Sequence, residues 1–405
     1  MMNLQSGYPF WLIKDGMPFT FPKLAKNTTT DVVIIGAGIS GALVRYYLLN
    51  AGIKCIMVDS RTIGLGSTCS STSLLQYEID TPLSELKKMI GEKGAERAFQ
   101  LCNYAIEELG RIVKKIGFKD FEFKKSLYYA AYKKDILFLK EEYAARKKAG
   151  FDVRYLEEKD ILKTFGFSSA GAILSNHGAQ TNAYGLTHKL LQYKKDKKGA
   201  LGVYDRTPVI RISHTAEGVV LETEQGYILK AKKLVYATGY ESVDFIAEKI
   251  VDLKSTYAVI SEQYETKTFW KDNVMLWNTA DPYLYMRTTP DGRILIGGRD
   301  EDFYNPGRRD KLIGKKARQL SGDFRKLFPD ISFKQEFSWT GTFGATKDGL
   351  PYIGEYSKLP NSYFALGFGG NGITFSLIAA EIITDMILGN ENEDAALFSF
   401  ERINK

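Results

Sequence analysis

Three glycines and one acid carry the first chemistry in this chain. In Asp31-Val-Val-Ile-Ile-Gly36-Ala-Gly38-Ile39-Ser40-Gly41-Ala-Leu the spacing is Gly36-x-Gly38-x-x-Gly41, that of a backbone turn able to cradle a nucleotide diphosphate. Gly36 allows a tight turn, Gly38 lets the main chain approach a pyrophosphate, and Gly41 lets the next helix pack on the strand. The first helical turn, with Ile39 and Ser40, points N–H groups and partial positive charge at the phosphates. Asp59 ends the following strand about 20 residues further on, where a carboxylate accepts hydrogen bonds from a ribose.

Such a cradle needs a strand, a helix and a second strand in that order. The β-branched run 31–35 predicts a strand covered on both faces. A helix over 42–50, a stop at Ala51-Gly52 and a strand over 54–58 follow. Beyond this unit, 81–117 reads as helical, 126–132 as a strand and 135–149 as a charged amphipathic helix. A strand over 171–174 leads to a helix over 185–193, and 209–212 with 218–224 form a hairpin. A buried strand over 233–237 ends in Ala237-Thr238-Gly239. Strands are expected at 255–260, 274–277, 283–287 and 294–297, then a helix over 314–328. The tail returns to a strand at 363–366, a glycine loop at 367–372 and a helix over 373–388.

At 405 residues the chain is long enough for two domains. With 44% hydrophobic and 25% charged residues it reads as a soluble globular protein. No apolar run approaches the roughly 18 residues of a membrane span, and the first 26 residues lack a signal-peptide pattern, so a cytoplasmic location is expected. The cysteines Cys55, Cys69 and Cys102 form no metal or disulfide pattern, and no metal site is expected. Cys69, in the polar loop 66–71, reads as inert packing. The net charge of +7 comes largely from lysines at 133–134, 147–148, 194–198 and 230–233. These are spread over exposed faces without stacking aromatics, so a solvated surface is expected and nucleic acid is not.

If 283–287 is a strand, alternation puts Tyr283, Tyr285 and Arg287 on one face. Arg287 would then pair with a substrate carboxylate while the tyrosines wall the pocket. The alternative is an Arg in a salt bridge with the tyrosines in the core. His177, His188 and His214 are scattered and read as structural.

Taken together, the amino-terminal glycine turn, Ala237-Thr238-Gly239, the 283–298 stretch and the tail Gly341-Thr-Phe-Gly344-Ala-Thr-Lys-Asp348-Gly-Leu-Pro-Tyr-Ile-Gly354 through Gly370-Asn371-Gly372 resemble the FAD-dependent D-amino acid oxidase and glycine/sarcosine oxidase family, nearly over the whole chain. The 283–298 stretch is similar to the branch that includes γ-glutamylputrescine oxidoreductases. The resemblance implies an α/β chain, α+β overall. A discontinuous Rossmann-like FAD domain (1–76, 171–245 and 336–405) would join an antiparallel-sheet substrate domain (77–170 and 246–335). It also implies Asp59, Ser60 and Arg61 facing the adenosine, and Val209 beside adenine. Gly66, Ser67 and Thr68 would pass the pyrophosphate and flavin. Asn371, Gly372, Ile373 and Thr374 would open a helix toward the pyrimidine side of the flavin ring, although a glycine loop can also merely turn a corner.

The activity implied is oxidation of the C–N bond of a small amine or amino acid, with O2 or another acceptor taking the electrons. A flavoprotein acting on modified tRNA and a non-catalytic flavin-binding protein are the alternatives. Three departures from sarcosine oxidases stand out. Gly341 replaces the flavin-bonding cysteine, which implies non-covalent FAD. Thr374 replaces a substrate-binding lysine, and Leu295 lies near the place of an oxygen-activating one.

Overall fold

The computed structural model describes residues 1–194, 201–366 and 369–404. Positions 195–198 of one lysine run and 367–368 of the glycine loop lie outside them. Among the described residues the strands form sheets of nine, eight and three strands.

The eight-stranded sheet holds the expected unit. Thr28–Ile35, the helix Ile39–Asn50 and Cys55–Val58 follow one another, and the two strands pair in parallel. Val32 and Ile34 face the helices while Val33 packs on the other face with Val58 and Leu234. Cover on both faces explains the unbroken β-branched run. Ile228–Tyr236 lies parallel on the far side of Thr28–Ile35, and Ser362–Leu366 lies parallel beyond it. The segments after Ile35, Val58, Tyr236 and Leu366 therefore all emerge at one end of the sheet, where open α/β sheets bind ligands. The hairpin Val209–Thr215 with Gly218–Thr223 extends the sheet.

The helix Gly372–Leu388 packs against Ile39–Asn50. By length and composition Gly369–Leu388 could cross a membrane, contrary to the expectation that no run comes near that length. Its most apolar window has mean hydropathy 1.4 and is 67% buried, so core packing accounts for the apolar composition.

The nine-stranded sheet runs from Gln5–Gly7 through Gln335–Ala345, Asp252–Ser261, Ile294–Glu301, Tyr285–Thr288, Met275–Asn278, Ser126–Tyr129 and Gly171–Ser175 to Val153–Glu157. It is antiparallel except where Met275–Asn278 meets Ser126–Tyr129 in parallel. One face is covered by the helix Ile313–Leu327, whose Ala317, Leu320 and Phe324 pack against Val259, Met286 and Ile296. The other face turns toward the dinucleotide unit.

Several expected boundaries move. The helix over 81–117 is two helices, Leu83–Ile90 and Glu92–Ile116, broken at Gly91, whose φ of 84° no ordinary helix contains. Gly171–Ser175 and Gln335–Ala345 belong to the nine-stranded sheet, as does Gln5–Gly7, whereas the division above puts all three with the dinucleotide unit. Gln335–Ala345 escapes recognition because Gly341 and Gly344, residues depleted in strands, interrupt its second half. Among the described lysines, Lys148 pairs with Glu92 and Lys232 with Asp31, each at 2.8 Å on the surface.

Candidate FAD and substrate site

The strand ends open into a cavity of about 850 Å³. Its first wall is the glycine turn. Gly36, Gly38, Ile39 and Ser40 line it. Gly36 has φ 101°, and a Cβ there would lie 2.3 Å from the Ala237 carbonyl oxygen. A Cβ on Gly38 would come within 2.8 Å of Thr68 Oγ1. Gly41 lies behind the lining, where a Cβ would sit 2.0 Å from the Gly36 carbonyl oxygen; its smallness sets the helix on the strand. The Ile39 amide donates to Thr68 Oγ1 at 3.1 Å, and the Ser40 and Ser376 hydroxyls share a 2.7 Å bond. That second bond ties the amino-terminal cradle to the carboxy-terminal helix.

Asp59 sits at the next strand end with each oxygen already fixed. The Ala37 amide donates to Oδ2 and the Arg61 amide to Oδ1, both at 2.7 Å. Burial pushes its pKa up to about 6, while those two amides and the Arg61 charge pull the other way. Further donors from a ribose would favour the carboxylate.

Ser60 and Arg61 also line the cavity. The Arg61 guanidinium pairs with Glu241 at 2.7 and 2.9 Å and donates to the Met2 carbonyl. Glu241 was not legible as a site residue, because nothing in its local sequence marks it. Gly66, Ser67, Thr68, Val209, Ala237, Thr238 and Gly239 are all brought to the same cavity.

The carboxy-terminal loop closes the wall. Gly370, Asn371, Gly372, Ile373 and Thr374 line it. Asn371 Nδ2 donates to the carbonyls of Gln76 and Glu78 at 3.1 and 2.8 Å, and the Thr374 hydroxyl donates to the Asn371 carbonyl at 2.9 Å.

Gly344 and Asp348, part of the tail that carries the resemblance to FAD-binding chains, lie outside the lining. A Cβ on Gly344 would strike Val251 at 2.5 Å, so the glycine serves packing. Asp348 pairs with Arg402 at 3.2 Å and accepts the Leu350 amide at 3.0 Å.

At the end nearer the nine-stranded sheet the cavity is walled by Tyr283 and Tyr285, with ring centres 5.7 Å apart. Tyr285 lies opposite Gly297 across the strand pair, where a Cβ would be 2.3 Å from the tyrosine side chain; the glycine makes room for the ring. Two acids not singled out from the sequence stand at this end: Asp300 lines the cavity, while Asp80 is exposed and lies just outside the lining. Asp80 accepts the Gly370 amide at 2.7 Å with Oδ2 and the Tyr283 hydroxyl at 3.1 Å with Oδ1. Asp300 accepts from Thr256, and its Oδ1 has no hydrogen-bond partner.

Burial raises both acids' pKa values; Asp300 reaches about 7, with the Asp80 charge adding to the effect and Lys254 and Lys316 opposing it. Burial and then the Asp80 charge hold the Tyr283 hydroxyl well above its ordinary pKa, so it remains a donor.

Arg287 departs from expectation. It shares the predicted face, opposite to Met286, but lies outside the lining and is 1% exposed. Its Nη1 donates to the carbonyls of Thr72, Ser73 and Thr181 at 3.1, 2.8 and 2.8 Å, and the guanidinium stands 5.2 Å from the Trp11 ring centre. Its Nη1 is taken up by carbonyls, and no carboxylate pairs with it among the described residues. Burial lowers its pKa to about 10, so it stays charged at neutral pH.

Cys69 is fully buried, donates to the Gly66 carbonyl at 3.3 Å, and has its pKa pushed up to about 12 by burial, which makes it a poor nucleophile. Gly341 lines the cavity; Leu295 does not, being buried with Trp11 and Trp339.

A glycine cradle, an acid at the second strand end and a helix amino terminus on one cavity fit an extended adenine dinucleotide. Residues 31–386 match the family model described as FAD dependent oxidoreductase. The chain belongs to this family. FAD is therefore its cofactor, and Gly36, Gly38, Asp59 and the Asn371–Thr374 segment are the groups that would hold it.

Within this FAD-dependent family, the chain is 24% identical to glycine oxidase of Bacillus licheniformis over 384 residues, covering 89% of this chain and 93% of that one. It is 22% identical to γ-glutamylputrescine oxidoreductase of Escherichia coli over 385 residues, covering 91% and 86%. The solved structure of glycine oxidase from Geobacillus kaustophilus superposes with a TM-score of 0.76 at 20% identity, covering 92% and 98%. This last likeness establishes the shared fold of an FAD unit joined to a sheet-built second unit.

Proposed function

We propose that the chain oxidises the C–N bond of a small amine or amino acid to an imine, which water then hydrolyses to a carbonyl compound. The observation that carries this reading is the extension of the cavity past the dinucleotide cradle. Beyond the opening of the helix Gly372–Leu388, it is walled by Tyr283 and Tyr285, with Asp300 in the same lining.

FAD supplies the acceptor for the substrate's α-hydrogen and two electrons. The chain's own groups orient and shield. The half-buried tyrosine rings narrow the cavity, and Tyr283, held by Asp80, keeps its ring in one place. The amide end of the Gly372–Leu388 helix favours negative charge where it faces the cavity. The nitrogen to be oxidised must be neutral to release its electrons, so positioning matters more than a strong base. Relatives named for glycine and γ-glutamylputrescine support a small nitrogen compound as substrate.

A single-turnover experiment checks the reaction: FAD-loaded protein mixed without oxygen with a reducing amine should yield one carbonyl product per flavin reduced. Reduction without a carbonyl product would refute C–N oxidation. We place the activity in the cytoplasm, where cell fractionation should recover it.

A further inference from the structure

Resting on the oxidation proposed above, we infer that the substrate carries a second, cationic group and no carboxylate, and that Asp300, assisted by Asp80, holds that cation at the sheet end of the cavity. The distribution of charge argues for it. Among the described lining residues the side chains that are always cationic are Arg61 and Arg211. Both lie at the nucleotide end and both are paired, Arg61 with Glu241 and Arg211 with Glu222 at 3.4 Å.

Arg287, the guanidinium that alternation offers for a carboxylate, is turned onto three backbone carbonyls outside the cavity. Two lysines lie near the acids but outside the lining, and each has its own partner. Lys254 pairs with Asp302 at 2.8 Å and Lys316 with Glu301 at 2.6 Å. An amino acid would therefore bring its carboxylate beside Asp300, with no unpaired cationic side chain among the described lining residues to meet it, an arrangement that disfavours the pair.

The acids divide the work by their existing bonds. Asp80 already receives the Gly370 amide and the Tyr283 hydroxyl. Asp300 has a buried oxygen, Oδ1, with no hydrogen-bond partner, and an unmet acceptor in such a place gains most from a charged donor. The faces of Tyr283 and Tyr285 beside it suit an alkylammonium chain, since aromatic rings attract cations. The nitrogen that reacts must be neutral, so the anchored cation is a different group on the same molecule: a diamine or a larger aminoalkyl cation.

The test uses FAD-loaded protein and butyltrimethylammonium, whose quaternary nitrogen cannot form an imine, with pentanoate as the anionic counterpart. Binding is read by calorimetry and by the saturable change in the oxidised-flavin spectrum. The cation should bind at least about tenfold more tightly than pentanoate. Asp300→Asn and Asp300→Ala should each weaken it at least about tenfold while FAD content stays the same. Pentanoate binding as tightly as the cation, or variants within twofold of the parent, would overturn the inference.

A parallel anaerobic arm offers 1,4-diaminobutane and glycine and watches flavin reduction. If the cation binds through Asp300 and no nitrogen compound reduces the flavin, the oxidation fails and the cation site stands. If glycine reduces it and the cation does not bind, the oxidation stands and the inference falls.

Discussion

Asp80 accepts the Gly370 amide at 2.7 Å, and its other oxygen accepts the Tyr283 hydroxyl at 3.1 Å. One carboxylate thus joins the loop before the carboxy-terminal helix to a tyrosine that walls the same cavity. Asp80→Ala removes two hydrogen bonds to a charged group, each contributing about 1.5–3 kcal/mol. FAD affinity should fall at least about tenfold, measured by titrating apoprotein with FAD and following flavin fluorescence. An unchanged dissociation constant would show that the loop is held by other contacts.

Arg287→Leu should act on stability. The substitution leaves the carbonyls of Thr72, Ser73 and Thr181 without their donor, at a cost of about 1–3 kcal/mol for each buried group left unmet. The melting temperature should drop by several degrees, with no selective loss of anionic substrates. A native melting temperature together with a raised KM confined to carboxylates would return Arg287 to the site.

Gly38→Ala and Gly41→Ala should differ. The added methyl at Gly38 meets a hydroxyl, Thr68 Oγ1, at 2.8 Å and projects toward the cavity, whereas at Gly41 it meets the Gly36 carbonyl at 2.0 Å. A hydroxyl can rotate away; a backbone carbonyl in the turn cannot. Gly38→Ala should weaken FAD binding with the apoprotein's melting temperature nearly unchanged, and Gly41→Ala should lower both. Equal thermal losses in the two apoproteins would contradict this division of roles.

Asp300 makes stability and binding depend on pH in opposite senses. Its pKa rises from an ordinary 3.8 to about 7 in the folded protein, so the folded state holds this proton more tightly than the unfolded one. Its contribution to stability is present below about pH 4 and is lost as pH rises through about 7. Asp300→Asn should therefore melt above the parent at pH 8, by about 2–4 °C, an advantage that disappears by pH 4. Cation binding should weaken as pH falls below about 7, because the anchor loses its charge. A melting difference independent of pH would remove Asp300 from this role.

Gly341 lines the cavity and offers no thiol, and Cys69 is buried with its thiol protonated. Acid precipitation should release FAD into the supernatant. Yellow protein in the washed pellet would reveal a covalent link.

The amino-terminal cradle was legible because its chemistry is local: a glycine turn, a helix and an acid at fixed spacing read directly as a dinucleotide site. Alternation grouped Tyr283 with Tyr285, and both line the cavity although the strand begins only at Tyr285. It failed for Arg287 because a strand's face fixes the direction of a side chain and says nothing of where the cavity ends or which carbonyls lie beyond it. Asp80, Glu241 and Asp300 were missed for the same reason. Each is an acid whose partners, Gly370, Arg61 and Thr256, come from remote segments. Gln335–Ala345 was lost behind Gly341 and Gly344, and with it the true reach of the nine-stranded sheet.

The central claim is that this cavity holds FAD against an oxidisable amine. Anaerobic mixing of FAD-loaded protein with a panel of mono-amines, diamines and amino acids, followed by flavin absorbance, tests it most directly. At least one member should bleach the oxidised-flavin band fully, diamines foremost, with colour restored on adding an electron acceptor. A flavin that binds stoichiometrically and is reduced by dithionite but by no nitrogen compound in the panel would contradict the claim.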